Sequence, residues 1–268
     1  MNFSNRKTCI IAGYRLCLDF IEKLKTNSIA FSPRGEEKLK KAQSLLLLIV
    51  LLSAFISTLP LLALASAEHV TLTVIEWEAP QKAITYAIPP TDDSMTNGHY
   101  VLLSYHSYNT INYYVNTKNS YGFSSSAVVN TITTSVTTWD KETSYQVFSY
   151  AGTTTKAAGK RDGYNVIAWG RYRSGVIAVT MSWVSGGRTI EVDCMMNTRF
   201  QWSLTGEAGK MDVQNIMTHE LGHFVGLADL YSDVDYWLAM YGYSNYGLTY
   251  ARTLGLGDIN GLEAVYGP

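Results

Sequence analysis

The sequence of 268 residues is poor in cysteine and in charge. Of its three cysteines only Cys194 follows residue 67, so the C-terminal part cannot form an internal disulfide. Its fold must be held by its core and by any metal ions it binds, and we expect Cys194 to be a small buried side chain. Only 16% of the residues are charged while 47% are hydrophobic, which excludes an intrinsically disordered chain.

Basic residues are scarce in the same part of the chain. Residues 68–268 hold twelve lysines and arginines against eighteen acidic residues, whereas residues 1–67 hold nine against four. An acidic body without a basic patch argues against nucleic-acid binding. We therefore expect no nucleic-acid partner.

Charge is absent altogether between Lys41 and Glu68, and residues 45–52 within this stretch are wholly apolar. Lysines precede the stretch, and the small residues 65–67 close it, as in a signal peptide. We predict a signal peptide over residues 38–67, cleaved after Ala67, and hence a secreted protein. The alternative is an uncleaved membrane anchor over residues 44–65, with the remainder of the chain outside the cell.

Residues 1–37 form a leader of doubtful authenticity, because a signal peptide rarely carries so long an extension. We expect the true start near Leu39, and peptides from residues 1–37 in the cellular protein would disprove this.

Residues 68–268 show neither an internal repeat nor a long linker rich in proline or glycine, which indicates one domain. Strand-like runs alternate with three helix-like segments, and this order favours an α+β fold with helices on a twisted sheet. The tyrosine- and asparagine-rich residues 100–121 suggest a surface loop or hairpin. The predicted strands cover residues 70–75, 83–88, 145–150, 164–169, 176–183 and 188–193, and the predicted helices cover 124–139, 212–225 and 258–266.

The second predicted helix contains a candidate metal site, His219-Glu220-Leu221-Gly222-His223. Histidines four residues apart share one helical face, so both imidazoles can bind one metal ion. Glu220 lies where its carboxylate can act as a base on a zinc-bound water. Gly226 is expected to end the helix and turn the chain back, so that Asp229 supplies the third ligand.

Other residues could share or replace these roles. Asp233 and Asp235 compete with Asp229 as the third ligand. A structural calcium site using Asp162, Asp193 or Glu207 is compatible with the sequence, although their spacing is nonspecific. We expect ordinary surface or loop positions for the remaining histidines, which are His69, His99 and His106.

The pattern H-E-x-x-H-x-x-G-x-x-D resembles that of the metzincin metallopeptidases, whose third ligand is usually His but in some branches Asp. Met240, within Leu238-Ala239-Met240-Tyr241-Gly242, resembles the Met-turn that packs below the zinc ligands in this family. Taken alone, Met240 would be an ordinary core residue. Further segments resemble the matrixin branch and leave 91–121 as an insertion; they are residues 77–88, 122–139, 189–203 and 256–267.

The resemblance implies a metzincin-like fold. It consists of a twisted, mixed, mostly parallel five-stranded sheet, a long active-site helix, a second helix packed on the sheet, and a small C-terminal subdomain with the Met-turn and a terminal helix. It also implies that an extended peptide pairs with an edge strand near residues 188–193. Residues 240–245 would line the pocket after the scissile bond, and Tyr241 or Tyr243 would stabilise the oxyanion. We expect no second, structural zinc and no inhibitory cysteine upstream.

These observations predict a secreted zinc endopeptidase. His219, His223 and Asp229 hold Zn²⁺, and Glu220 acts first as general base and then as acid toward the leaving amine. One alternative is a non-catalytic zinc-binding adhesion or interaction module on the same scaffold. Another is a membrane-tethered peptidase, which changes the location and leaves the chemistry the same.

Overall fold

The structure is a computed structural model, and it describes residues 69–79 and 96–268. The predicted leader, the signal segment and the strand at 83–88 lie outside these ranges. Within them, no helix combines the length and the apolar character needed to cross a membrane. The strands are β1 (Thr71–Glu78), β2 (Ile111–Val115), β3 (Phe148–Thr153), β4 (Asn165–Gly170), β5 (Val176–Ser185), β6 (Arg188–Asn197), β7 (Trp202–Ser203) and β8 (Met211–Asp212). The helices are α1 (Ser125–Asp140), α2 (Val213–Val225) and α3 (Leu256–Tyr266), with short 3₁₀ turns at Asp233–Asp235 and Tyr250–Arg252.

The predicted α+β class is confirmed, and the main sheet is mixed, with the strand order β1-β5-β6-β4-β2-β3. β3, β2, β4 and β6 are parallel neighbours, whereas β5 runs antiparallel to both β6 and β1. The expectation of five strands is wrong for the described residues, because β1 adds a sixth strand at the edge. The prediction of an edge strand at residues 188–193 is also wrong, since β6 lies between β5 and β4.

β2 corrects the reading of residues 100–121 as a surface loop and of 91–121 as an insertion. It is an internal strand of the sheet, paired with both β3 and β4. Ile111, Tyr113 and Val115 alternate toward the core and are at most 3% exposed. This strand was not predicted because Asn112 and Tyr114 occupy its outward positions and further tyrosines and asparagines occupy the flanking loops.

The hairpin of β5 and β6 is the tightest connection of the sheet. Ser185 lies opposite Arg188, and the two residues between them are Gly186 and Gly187. Both glycines have positive φ, +56° and +78°, which a two-residue hairpin turn requires and which side chains disfavour.

The helix starts follow the predicted capping signals. The Ser124 hydroxyl accepts a hydrogen bond from the Ala127 N–H, and Asp212 does the same for the Asn215 N–H at 2.9 Å. Arg252 also binds both carboxylate oxygens of Asp212, at 2.6 and 2.8 Å. The cap of α2 is therefore buried and ion-paired, which fixes the first turn of the helix that carries the histidines.

All three helices pack on the same face of the sheet. The main core lies between them, with Ile132 of α1, Phe224 of α2 and Leu262 of α3 in one cluster with buried residues of β2, β4 and β6. A smaller cluster, including Val179 and Trp183, fills the opposite face. Since α2 is enclosed by α1, the sheet and the C-terminal segment, its histidines and Glu220 are almost fully buried.

Candidate metal centre

The two histidines of α2 are oriented by backbone carbonyl groups. Nδ1 of His219 donates to the Ala239 carbonyl at 2.7 Å, and Nδ1 of His223 donates to the Leu227 carbonyl at 2.8 Å. A carbonyl oxygen only accepts, so each Nδ1 carries the proton and each Nε2 is left with its lone pair. This is the arrangement by which metal-binding histidines are held in one tautomer.

Gly226 brings the third candidate ligand back toward the helix, as predicted. It ends α2 with φ +106°, and a Cβ at this position would lie 2.6 Å from Cβ of His106. Three residues later, Oδ1 of Asp229 lies 3.0 Å from Nε2 of His219 and 3.6 Å from Nε2 of His223. In tetrahedral zinc sites with bonds near 2.1 Å, ligand atoms are separated by about 3.4 Å, so these distances fit one ion.

Buried atoms of His219, His223 and Asp229 that lack a hydrogen-bond donor also fit a single metal ion. His219, His223 and Asp229, which we call the ligand cluster, bring one atom each within 4.8 Å of the others. Both Nε2 atoms and Oδ1 of Asp229 are buried without a hydrogen-bond donor. Three converging lone pairs without a donor are costly, and a bound cation removes that cost. The cluster could therefore hold a divalent metal ion.

Glu220 lies next to the ligand cluster and is 0% exposed. The Thr180 hydroxyl on β5 donates to Oε2 of Glu220 at 2.5 Å, whereas Oε1 is buried without a partner. Burial, together with the charge of Asp229, raises the pKa of Glu220 to about 7 against the opposing effects of His219 and Thr180. A carboxylate with one fixed and one free oxygen and a pKa near neutrality suits general acid–base work.

The charges within the cluster act on one another. Burial lowers the pKa of His219, but the adjacent Asp229 carboxylate outweighs it, so that the pKa is raised. Burial raises the pKa of Asp229, yet the two histidines lower it overall. Burial lowers the pKa of His223 to about 4, which keeps this imidazole neutral. A neutral imidazole and an ionised carboxylate are the forms that bind metal.

Met240 packs directly against the turn of α2 that separates the histidines. A side chain at Gly222 would overlap its sulfur, so glycine is required there. The Asp258 carboxylate accepts from the Ala239 N–H at 2.7 Å and the Met240 N–H at 3.1 Å, and burial raises its pKa to about 6. Asp258 thereby positions the carbonyl that orients His219, a role that we did not predict from the sequence.

A cavity of about 540 Å³ opens beside Asp229. β1 lines one side of it, and Tyr231, Gly242 and Tyr243 line the other. The Tyr231 hydroxyl donates to Oδ2 of Asp229 at 3.2 Å, so the tyrosine bonded to the ligand cluster is neither Tyr241 nor Tyr243. Tyr241 is buried, with its ring near Tyr236 and Tyr243.

Trp77 of β1 covers His219. The two rings stack with centroids 3.6 Å apart and planes 9° apart, and Trp77 is 0% exposed. No local pattern connects Trp77 with His219, because 142 positions of chain separate the two residues.

The competing aspartates lie elsewhere. Asp235 is buried and accepts hydrogen bonds from Asn97 at 2.7 Å and His99 at 3.0 Å, while Asp233 is exposed. His99 is exposed and His106 is half-buried, both outside the named strands and helices as expected, and the bond to Asp235 adds a structural contact for His99. Among the residues that the structure describes, only the ligand cluster forms a group that could hold a metal ion, and Asp233 and Asp235 are not part of it.

The three candidate calcium ligands are not brought together. Asp162 pairs with Lys156 at 2.8 Å, and Glu207 pairs with Lys210 at 2.7 Å. Asp193 accepts backbone N–H groups of Gly159, Lys160 and Val166, and the adjacent Glu191 accepts those of Asp162 and Gly163. We call Glu191 and Asp193 the carboxylate pair; it anchors the loop before β4.

No model of a protein family matches the sequence, and no curated protein matches it with significant similarity. The resemblance to metzincins therefore depends on the motif itself and stays a prediction.

Proposed function

We propose that residues 68–268 form a secreted zinc endopeptidase of metzincin type. The observation that supports it most is the convergence of three donor-free ligand atoms beside a buried glutamate that has one free oxygen. Two nitrogens and one oxygen suit Zn²⁺, and three protein ligands are typical of a catalytic rather than a structural site.

When bound, zinc would supply a water of lowered pKa and would polarise the scissile carbonyl. Glu220 takes the proton of the attacking water at Oε1, while the Thr180 hydroxyl holds Oε2. The same carboxyl group then delivers the proton to the leaving amine. Tyr231 and Tyr243 line the cavity beside Asp229 and are placed to contact the peptide.

The proposal is tested with the full chain, measuring bound zinc by mass spectrometry and hydrolysis of casein or a quenched peptide library. Glu220→Gln should retain one zinc per chain and lose activity by about 10²–10⁴-fold. Glu263→Gln, a partly buried glutamate on α3, is the matched control and should behave as the wild type.

Two results would count against the proposal. A folded wild type without zinc would contradict the metal assignment. One bound zinc without hydrolysis of any peptide in the library would favour the non-catalytic binding module.

A further inference from the structure

β1 lies where an extended peptide would have to lie in order to reach the ligand cluster. Its one strand neighbour is β5, the strand whose Thr180 contacts Glu220. The pairing is antiparallel from Thr71 opposite Val184 to Glu78 opposite Val176, with one register shift between Trp77 and Glu78. The edge of β5, and not that of β6, is thus the sheet edge nearest the candidate site.

The side chains of β1 are arranged along the site in register with β5. Ile75 lies opposite Thr180, and Trp77 lies opposite Ala178. Residues directly opposite in an antiparallel pair share one face, so Ile75 and Trp77 face the helices. Trp77 stacks on His219, as described above, and Ile75 lines the cavity beside Asp229.

The other side of β1 meets the C-terminal segment. Glu78 forms a parallel bridge with Tyr243, and the cavity separates the rest of β1 from Tyr231 and Gly242. β1 is therefore held between an antiparallel strand and a parallel segment, with the ligand cluster beneath its aromatic residue. A peptide bound by strand addition makes contacts of this kind, with backbone bonds for affinity and a pocket for one side chain.

The contacts that hold β1 at its outer face are weak. Leu72 is 51% exposed and Val74 is 41% exposed. Glu76 and Glu78 pair with the single side chain of Arg173, which is itself 55% exposed. Exposed ion pairs contribute little to stability, so apart from the backbone pairing with β5 and the Tyr172 hydroxyl on Glu76, Trp77 is the main side-chain anchor of this strand.

On this basis, and resting on the proposed function, we propose that the edge of β5 is the peptide-binding edge of the enzyme and that β1 is its displaceable intramolecular occupant. The substrate class is then an extended peptide with an aromatic side chain that replaces Trp77 on the ring of His219. β1 must leave before such a peptide is hydrolysed.

The decisive experiment locks β1 onto β5 with a disulfide in the full chain. Thr71→Cys with Val184→Cys joins directly opposite residues at the end of β1 that is distant from Trp77. Ser185→Cys with Arg188→Cys, which joins β5 to β6, is the matched control. Both variants carry Cys9→Ser and Cys17→Ser, while the buried Cys194 is kept.

Two readouts are taken on the oxidised and reduced forms, with the reductant removed beforehand. One is hydrolysis, and the other is the anisotropy of a fluorescein-labelled peptide with the sequence of residues 71–79. We expect the oxidised lock to lower both by at least tenfold, with recovery on reduction, and the control to show no change. Alanine at the Trp77 position of the peptide should weaken its binding at least tenfold.

A second measurement uses the wild type and does not depend on the folding of a variant. The unlabelled peptide should accelerate amide hydrogen exchange in residues 71–78 and leave exchange in β6 unchanged. Arg173→Ala should raise peptide binding about twofold to threefold, while Arg171→Ala, an exposed arginine two residues earlier, should not.

The outcomes separate this inference from the proposed function. Equal hydrolysis and equal peptide binding in the locked and reduced forms would overturn the inference about β1, and the proposed peptidase activity would still stand. Redox-dependent peptide binding without hydrolysis in any form would contradict the proposed peptidase activity and would still support β1 as the occupant of the β5 edge. An absence of peptide binding in every form would also overturn the inference.

Discussion

Two buried polar groups of this molecule are built from similar residues and differ in how their atoms are satisfied. In the carboxylate pair, Glu191 and Asp193 accept five backbone N–H hydrogen bonds, four from the loop before β4 and one from Val166 of β4. In the ligand cluster, the atoms that converge have no donor. The first arrangement stabilises a loop, whereas in the second the missing partner would be supplied by the proposed cation. Burial of acidic residues alone therefore does not indicate a candidate metal site, whereas converging buried acceptor atoms without a hydrogen-bond donor do.

The largest expected effect comes from removing a ligand of the cluster. Asp229→Ala should abolish stoichiometric zinc binding and lower hydrolysis by more than about 100-fold, because the metal's transition-state stabilisation is lost. The measurements are zinc content after dialysis and the rate of peptide hydrolysis. Asp233→Ala, exposed four residues later, is the control and should keep both. Retention of zinc by Asp229→Ala would assign the third ligand to another residue.

A substitution in the carboxylate pair should lower the stability of the fold and leave zinc binding unchanged, which is the opposite of the effect expected for the ligand cluster. Asp193→Ala leaves three N–H donors without their acceptor and should destabilise the fold by about 3 kcal/mol, with unchanged zinc per folded chain. Urea denaturation measures the free energy of unfolding. Asp162→Ala, which removes only an exposed ion pair, should cost less than about 1 kcal/mol. Loss of zinc on Asp193→Ala would show that the two groups are not independent.

The pH dependence of this destabilisation sharpens the comparison. Burial raises the pKa of Asp193 to about 7, above its ordinary value of 3.8, although three N–H donors oppose the shift. The contribution of such a carboxyl group to the free energy of unfolding is fully present below pH 4. It is lost as the pH rises toward 7, by at most about 1.4 kcal/mol per pH unit. The unfolding free energies of the wild type and Asp193→Ala should thus differ more at pH 5 than at pH 8. An equal difference at both pH values would contradict the raised pKa.

The smallest effect concerns Thr180, which satisfies one oxygen of Glu220. Thr180→Val keeps the shape and removes the hydroxyl, and we expect kcat to fall about tenfold while KM stays constant, a change of about 1.4 kcal/mol in the barrier. Thr180→Ser should restore kcat. Ser182→Ala, two residues along the same strand, is the control. An unchanged kcat in Thr180→Val would show that Glu220 does not need this hydrogen bond.

The sequence predicted those parts of the fold that depend on local signals. Asp212 caps α2 and Gly226 ends it because capping depends on a few neighbouring residues. Two histidines four residues apart lie on one helical face wherever the helix is placed. β2 escaped detection because its polar and aromatic residues do not resemble a buried strand, although Ile111, Tyr113 and Val115 alternate as a strand should.

The parts that could not be predicted depend on long-range pairing. Nothing local indicates that β1 pairs with a strand about a hundred residues later, or that Trp77 reaches His219. The contact of His99 with Asp235 joins residues 136 positions apart, and that of Asp258 with Met240 joins residues 18 positions apart. Such contacts follow from the topology of the sheet, and no short pattern in a single sequence reveals that topology.

The Gly186-Gly187 turn has a consequence for the order in which the sheet forms. A two-residue loop closes with little loss of chain entropy, so β5 and β6 are expected to pair within microseconds. β1 is synthesised first but must wait for the whole of β5, and its contacts carry the larger entropic cost. We expect the hairpin to be formed in the folding transition state and β1 to be the last strand to join, leaving the edge of β5 open meanwhile.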